Sequence, residues 1–539
     1  MAEIKSGKII FDDSDWLATL NANYSQNLPN APYVKGGRYL LSSRAFDPYR
    51  HLGYASPGFE YEAVANSNLV DSTPIRASAL ADESGTQYYY GVDTDETLFQ
   101  IDADSGDITS GGIWPHTITP AAGTAEADDV IAYSVNVSNT RVERLFYSYN
   151  NSADGSWDVG MYELDGTAPD DDYLSTVPNN VTGLGGDTFA GSSVSHPMIV
   201  GDDDILYIGN GRYLYGLDGD TGSDGTLNLS LTLPENFRIK SFARVNHRLA
   251  IFGYYERDPT ASPNLTSFYN SRVVVYWWDY ENLDPYDAVT IQDNYVTCAF
   301  EFEGTIGCFT QGRLPVRNSD MISKLWLWDG SLFQLVAQFD KNAPYHNSID
   351  QIGGTILWNS QGSVYQYGAP FQGYDFGLNK IAELSGSQSG IYKIINTTTR
   401  IASSGTGSLS GLESDTAGYD SAAQVATQLV SPTWNEGKAG KIKSITVEFG
   451  KTSSDGRRID IVVTGNATTS TTIVENLSTV DTSNIIKKYT YDVSGNVLPY
   501  FIDLACILQW EGGVDASDAP IVKRVVVEYE EVNIENVVT

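Results

Sequence analysis

One short phrase recurs along this chain. An aromatic or β-branched strand is followed by a turn and by a second strand that runs through Tyr, Trp or Leu and closes on Asp. It stands at 86–102 (TQYYYGVDTDETLFQID) and 204–218 (DILYIGNGRYLYGLD), with looser forms at 144–165, 249–279, 305–329 and 354–367. A hairpin of this kind cannot bury its own faces, so a series of them must stack. Blades set around an axis cover one another and leave only short edges, which predicts an all-β chain built on a β-propeller. Unit ends at Asp102, Asp165, Asp218, Asp279, Asp329 and Tyr367 predict six blades, or seven if strands from both chain ends complete one. Stacked β-sandwiches are the competing arrangement.

The rest of the chain divides around this body. With 539 residues it exceeds one ordinary core. Residues 1–70, broken by Pro29, Pro32, Pro48 and Pro57, read as an extended N-terminal arm. Residues 71–390 hold the repeats, and the Ser-, Gly- and Thr-rich stretch 391–435 reads as a linker. Residues 436–539 read as a C-terminal antiparallel β-sandwich, jelly-roll-like, with strands at 441–449, 458–464, 471–477, 486–493, 500–510 and 521–529. KIKSITVE and KRVVVEYE alternate as half-buried strands do.

Charge narrows the partners. Asp and Glu number 68 against 33 Lys and Arg, a net charge of −35. Such an acidic protein repels phosphate backbones and anionic bilayers, so direct nucleic-acid binding is not expected. No apolar run approaches the length of a membrane span, and the opening MAEIKSGKIIFDDSDW has no signal-peptide pattern. Cys298, Cys308 and Cys506 are too few for a disulfide framework and read as buried thiols, the first two facing each other across a hairpin.

No linear motif carries chemistry. There is no P-loop, dinucleotide fingerprint, zinc spacing or nucleophile elbow, and no enzyme is expected. Glu163, Asp279 and Asp329, at strand ends, are nominal glycosidase carboxylates. Trp277, Trp278, Trp326, Trp328 and Trp358 read as blade core, with sugar-stacking platforms as the alternative. DGDTGSDG places Asp218, Asp220 and Asp224 within eight residues, which makes them calcium candidates, although Asp and Gly also close plain turns. The five histidines are widely spaced and read as ordinary polar residues.

The arm (NAPYVKGGRYLLSSRAFDPYRHLGYASPG), the scarcity of cysteine, the irregular blades and the module entered through TWNEGKAGKIKSITVEFG resemble tailed-bacteriophage virion proteins that join a β-propeller to a β-sandwich. The resemblance is one of architecture. It implies a structural part of the tail nozzle, tail tip or capsid surface, located in the virion and present in several copies. Its partners would be other virion proteins and copies of itself, with Tyr39, Phe46, Tyr49 and Tyr54 as subunit-contact residues. The alternative is a carbohydrate- or receptor-binding protein for a host-surface glycan, marked by exposed aromatics at 254–257 or 344–346, and after it a polysaccharide-active glycoside hydrolase.

Overall fold

The computed structural model describes most of residues 75–383, leaving out chiefly 175–194, 219–224, 256–271 and 369–376; outside that span it describes mainly strands. Every regular element among the described residues is a β-strand. Seven small antiparallel sheets follow one another. The first holds Ile75–Glu83, Thr86–Asp93, Thr97–Asp102 and His116–Thr117; the second holds Ala125–Val137, Thr140–Asn151 and Trp157–Glu163. The third holds Met198–Val200, Leu206–Asn210, Tyr213–Asp218 and Thr226–Thr232; the fourth holds Phe237–Val245, Arg248–Tyr255, Arg272–Trp278 and Asp287–Ile291. The fifth holds Tyr295–Phe302, Thr305–Leu314, Arg317–Trp328 and Phe333–Phe339; the sixth holds Ile349–Ile352, Thr355–Ser360, Ser363–Gly368 and Gly377–Glu383, with Ile391–Tyr392 beside Thr355–Ser360.

The recurring phrase is the hairpin of second and third strands in these six sheets. Its terminal Asp has a local cause. Asp279 accepts the backbone N–H groups of Glu281 and Asn282, and Asp329 accepts those of Ser331 and Leu332. The carboxylate thus folds the turn into the fourth strand.

The first strands of consecutive sheets lie side by side through the first five, which makes the arrangement propeller-like. The core lies between sheets, as the burial argument requires. One cluster joins Tyr90, Val92 and Trp114 of the first sheet region to Leu145, Tyr147 and Tyr162 of the second. Others couple the second to the third, the third to the fourth, the fourth to the fifth and the fifth to the sixth. Trp358 is fully buried between the rings of Phe309, 4.8 Å away, and Tyr365, 5.5 Å away.

Close packing leaves no room for a methyl group at Gly253. A Cβ there would sit 2.1 Å from the Arg238 carbonyl oxygen and 2.5 Å from the Phe237 ring. The neighbour is backbone in the paired strand and cannot rotate away. Gly253→Ala is therefore expected to destabilise by about 3 kcal/mol, read as a lower urea midpoint. Gly85→Ala, at a hairpin with positive φ but nothing within 4 Å, is expected to cost only about 1–2 kcal/mol. Equal losses at the two sites would refute the packing argument.

Several sequence expectations change here. The stretch 391–435 is not only a linker: Ile394–Ile395, Ile401–Ser404 and Ser408–Leu412 form the seventh sheet, with Tyr61–Asn68 from the chain's beginning as its last strand. The extended arm expected over 1–70 contributes strands to the sheets formed after residue 436. Glu3–Lys5 and Lys8–Phe11 extend a six-stranded sheet with Ile521–Asn533, Lys438–Lys451, Lys487–Asp492 and Tyr500–Phe501. Thr19–Leu20 and Tyr39–Arg44 join a second, with Gln424–Thr427, Leu504–Glu511, Arg458–Gly465 and Thr469–Val474. Five of the six strands expected after residue 436 are present as single strands, but 500–510 is two, Tyr500–Phe501 in one six-stranded sheet and Leu504–Glu511 in the other; the alternating burial of Ile521–Asn533 is that of a half-buried strand. Cys298 and Cys308 do not face each other. Cys298 packs in the cluster toward the sixth sheet and Cys308 in the cluster toward the fourth, on opposite faces of the fifth. Among the described residues no helix is long and apolar enough to cross a membrane.

Candidate functional site

The first strands of four sheets share an irregularity. Pairing with the second strand skips one residue between Ile75 and Ala77, Ala127 and Asp129, Ile239 and Ser241, and Val296 and Cys298. Such a β-bulge leaves one residue outside the ladder and re-aims its side chain. The skipped residues are Arg76, Asp128, Lys240 and Thr297, and all four line one small pocket, with Ser195, Tyr295 and His346 among its other walls.

Around this pocket lies a buried polar network. Arg76 Nη1 stands 3.0 Å from Asp128 Oδ1. Asp128 Oδ2 accepts the Asn150 amide at 2.7 Å and the His196 backbone N–H at 3.1 Å, and faces His196 Nδ1 at 3.1 Å. Burial alone would raise the Asp128 carboxyl, but Arg76, His196 and Lys240 outweigh it and hold the group below the ordinary aspartate value. His196 in turn stacks on Trp157, with ring centres 4.4 Å apart.

Asp129 ties the next layer. It accepts the Met198 N–H at 2.7 Å, the Val130 N–H at 2.9 Å and the Asn347 amide at 2.8 Å. His346 Nε2 faces only acceptors, Met198 O at 3.1 Å and Asp129 Oδ2 at 3.3 Å. In the neutral ring the proton therefore sits on Nε2, and Nδ1 accepts the Ser241 hydroxyl at 2.5 Å. Ser241 Oγ accepts the Ala299 N–H at 2.7 Å. Residues of the first five sheets, and of the segment entering the sixth, meet in this network.

His346 also lines a larger cavity of about 690 Å³. Its walls come from the first strands of the second to sixth sheets and the segments flanking them. Tyr133, Phe242 and Phe300 give apolar surface; Arg244, Glu301 and Gln351 give donors and acceptors. Arg244 Nε bonds Glu301 Oε1 at 2.8 Å and Nη1 bonds Val200 O at 3.0 Å. Arg141 and Asp204 pair at 2.9 Å at the same cavity, both well exposed. Carboxylates of Glu143 and Asp350 complete the charged lining.

The residues singled out in the sequence lie elsewhere. Glu163 is exposed and pairs with Arg144; Asp279 and Asp329 close their own turns, which holds both carboxyls below the usual range. Trp277, Trp278 and Trp358 are core, and Trp326 and Trp328 pack half-buried against it. Asp218 ends a strand opposite Thr226, while Asp220 and Asp224 lie outside the described residues. Among the described residues no group of three or more His, Cys, Asp or Glu side chains is placed to hold a metal ion. Tyr39 lies in a strand paired to Gln424–Thr427 of its own chain, and the Tyr54 ring covers Gly450; Phe46 and Tyr49 lie outside the described residues. Of the stretches expected to present aromatic platforms, Tyr254 is buried against Tyr295 and Tyr255 is half-buried, while Pro344 and His346 are buried; Tyr345 and residues 256–257 lie outside the described residues.

Sequence reasoning passed over His196, His346 and the Asp128–Asp129 pair. The available signal was position: each histidine stands two or three residues before the first strand of a sheet.

No family model matches the chain, and no curated protein matches it in sequence. Among solved structures it is similar to an exo-β-1,3-galactanase from Phanerochaete chrysosporium with β-1,3-galactotriose, at 10% identity over 86% of this chain and 99% of that one, TM-score 0.31. It is also similar to the Dos1 propeller, at 10% identity over 66% and 94%, TM-score 0.38. A third is YCF48 with a bound peptide, at 9% identity over 66% and 96%, TM-score 0.38. No residue can be carried across likenesses of this size. They correct two expectations. None of these structures is a viral, phage or tail protein. The exclusion of an enzyme is withdrawn as well, because the galactanase recurs among the matches.

Proposed function

We propose that the chain is a carbohydrate- or receptor-binding protein that takes its ligand in the axial cavity. The observation that supports this is the cavity itself: about 690 Å³, the size of a small-ligand site, at the meeting of five sheets. A sugar presents hydroxyl groups that donate and accept at once, beside apolar C–H faces. The cavity offers both kinds of partner. Arg244 and Gln351 donate, Glu301 and Asp350 accept, and Tyr133, Phe242 and Phe300 supply apolar wall. In this reading the seven sheets form a closed propeller. Its seventh blade is completed by Tyr61–Asn68 and packs on the sixth sheet through Ile394–Ile395, while Ile391–Tyr392 of the sixth sheet reaches the first. The two six-stranded sheets form the attached sandwich.

The test is a glycan array with the purified full chain, followed by calorimetry on the best oligosaccharide. Arg244→Ala is expected to weaken binding by about tenfold or more, as loss of a charged hydrogen bond does. No retained glycan, or a hit whose affinity ignores Arg244→Ala, would reject the axial site. Four carboxylates, Glu143, Asp204, Glu301 and Asp350, line the cavity and favour hydrolysis as a second reading. Chromatography of the same incubations reads it directly: shortened oligosaccharides that disappear in Glu301→Gln would make the chain a glycosidase.

A further inference from the structure

We infer that the small axial pocket bounded by Arg76, Lys240 and Ser195 is a binding site for a single small anionic group. Two donors there are unused. Among the described residues the Lys240 ammonium makes neither a hydrogen bond nor an ion pair; it lies over the Tyr295 ring, 5.6 Å from its centre. The Ser195 hydroxyl is shielded from solvent and has no hydrogen-bond partner. A shielded, unsatisfied donor costs free energy unless something accepts from it. Both groups line the pocket.

The charge balance there runs against the rest of the molecule. The chain carries a net charge of −35, yet this pocket gathers two cations, Arg76 and Lys240, around one carboxylate, Asp128. Arg76, Asn150 and His196 bond Asp128 directly and Lys240 acts on it only through its charge, so two cations stand against this one carboxylate and the Lys240 N–H donors remain unused. Two β-bulges, at Arg76 and Lys240, aim these cations inward, since a regular strand would keep both residues within the ladder. The free volume is about 20 Å³, enough for little more than one water-sized atom. That excludes a sugar ring or a phosphate and admits a halide or one end of a carboxylate. The site stands independently of the glycan reading, because its donors are not those of the large cavity.

The test is calorimetric titration of the full chain with sodium bromide and, separately, sodium acetate, at fixed pH and ionic strength in a bulky buffer. One saturable site is expected. Lys240→Met should weaken it by about tenfold or more and Ser195→Ala by several-fold. Circular dichroism shows whether each variant is folded; Ser195→Ala, which removes only a hydroxyl, serves if Lys240→Met is not. Competition of acetate with bromide would identify the ligand as a carboxylate group, and bromide binding alone a monatomic ion; either places an anion in the pocket. No saturable binding of either salt, or binding unchanged in both folded variants, would overturn the inference.

Discussion

Asp129→Ala is expected to destabilise the chain by about 3–5 kcal/mol, the cost of removing one member of a buried, hydrogen-bonded charge network. Asp129 is 1% exposed. Its two oxygens serve the Met198 N–H in the third sheet and the Asn347 amide in the segment that leads into the sixth, besides its own neighbour Val130. Alanine leaves the buried Met198 and Val130 N–H donors without their acceptor, at about 1–3 kcal/mol each. The loss also propagates, because His346 is held by Asp129, Met198 O and Ser241 together. Asp129→Asn retains one acceptor but sets an N–H₂ against a donor, so it should fall about midway. Urea unfolding followed by tryptophan fluorescence measures both. An Asp129→Ala variant within about 1 kcal/mol of the parent would mean that the axial layer does not couple the sheets.

Asp158→Asn is expected to act in the opposite direction, and only above acid pH. Burial, with the nearby Asp172 and Asp170 carboxylates, pushes the Asp158 carboxyl up to about 7, against partial relief from the Val159 and Leu174 backbone. The unfolded chain loses this proton near 3.8. Between these values the unfolded state binds fewer protons than the folded one, so stability is full below about pH 4 and falls until about pH 7. At 1.36 kcal/mol per unit the ceiling is about 4 kcal/mol. Partial exposure of the side chain reduces this to roughly 2 kcal/mol. Asparagine keeps an acceptor for the Val159 N–H without a charge to bury. The variant should match the parent at pH 4 and exceed it by roughly 2 kcal/mol at pH 8. A difference that does not change with pH would show that Asp158 is not the titrating group.

Legibility followed the range of the interactions. The strand–turn–strand phrase, its closing aspartates and the alternation in KIKSITVE and KRVVVEYE come from contacts a few residues apart. They located six of the small sheets and the strands after residue 436. The seventh sheet escaped because IASS and SLSGL are short and polar, and their partner Tyr61–Asn68 lies more than 300 residues away in the chain. The same distance hid the pairing of Lys8–Phe11 with Ile521–Asn533, which turns an apparent arm into part of a sheet.

The axial site belongs wholly to this second class. In the sequence, Arg76, Asp128, His196, Lys240 and His346 are scattered polar residues with no shared spacing. Local propensity makes each sheet, and the apolar content of each strand decides that neighbouring sheets must cover one another; the amino-acid sequence determined that much. Which residue is left out of the ladder depends on the bulge. What it then meets depends on how consecutive sheets pack against one another. The bulges sit in local hairpins, but the residues that meet in the site come from positions 68 to 148 residues apart, so only the tertiary structure decided where the cavity lies and which side chains line it.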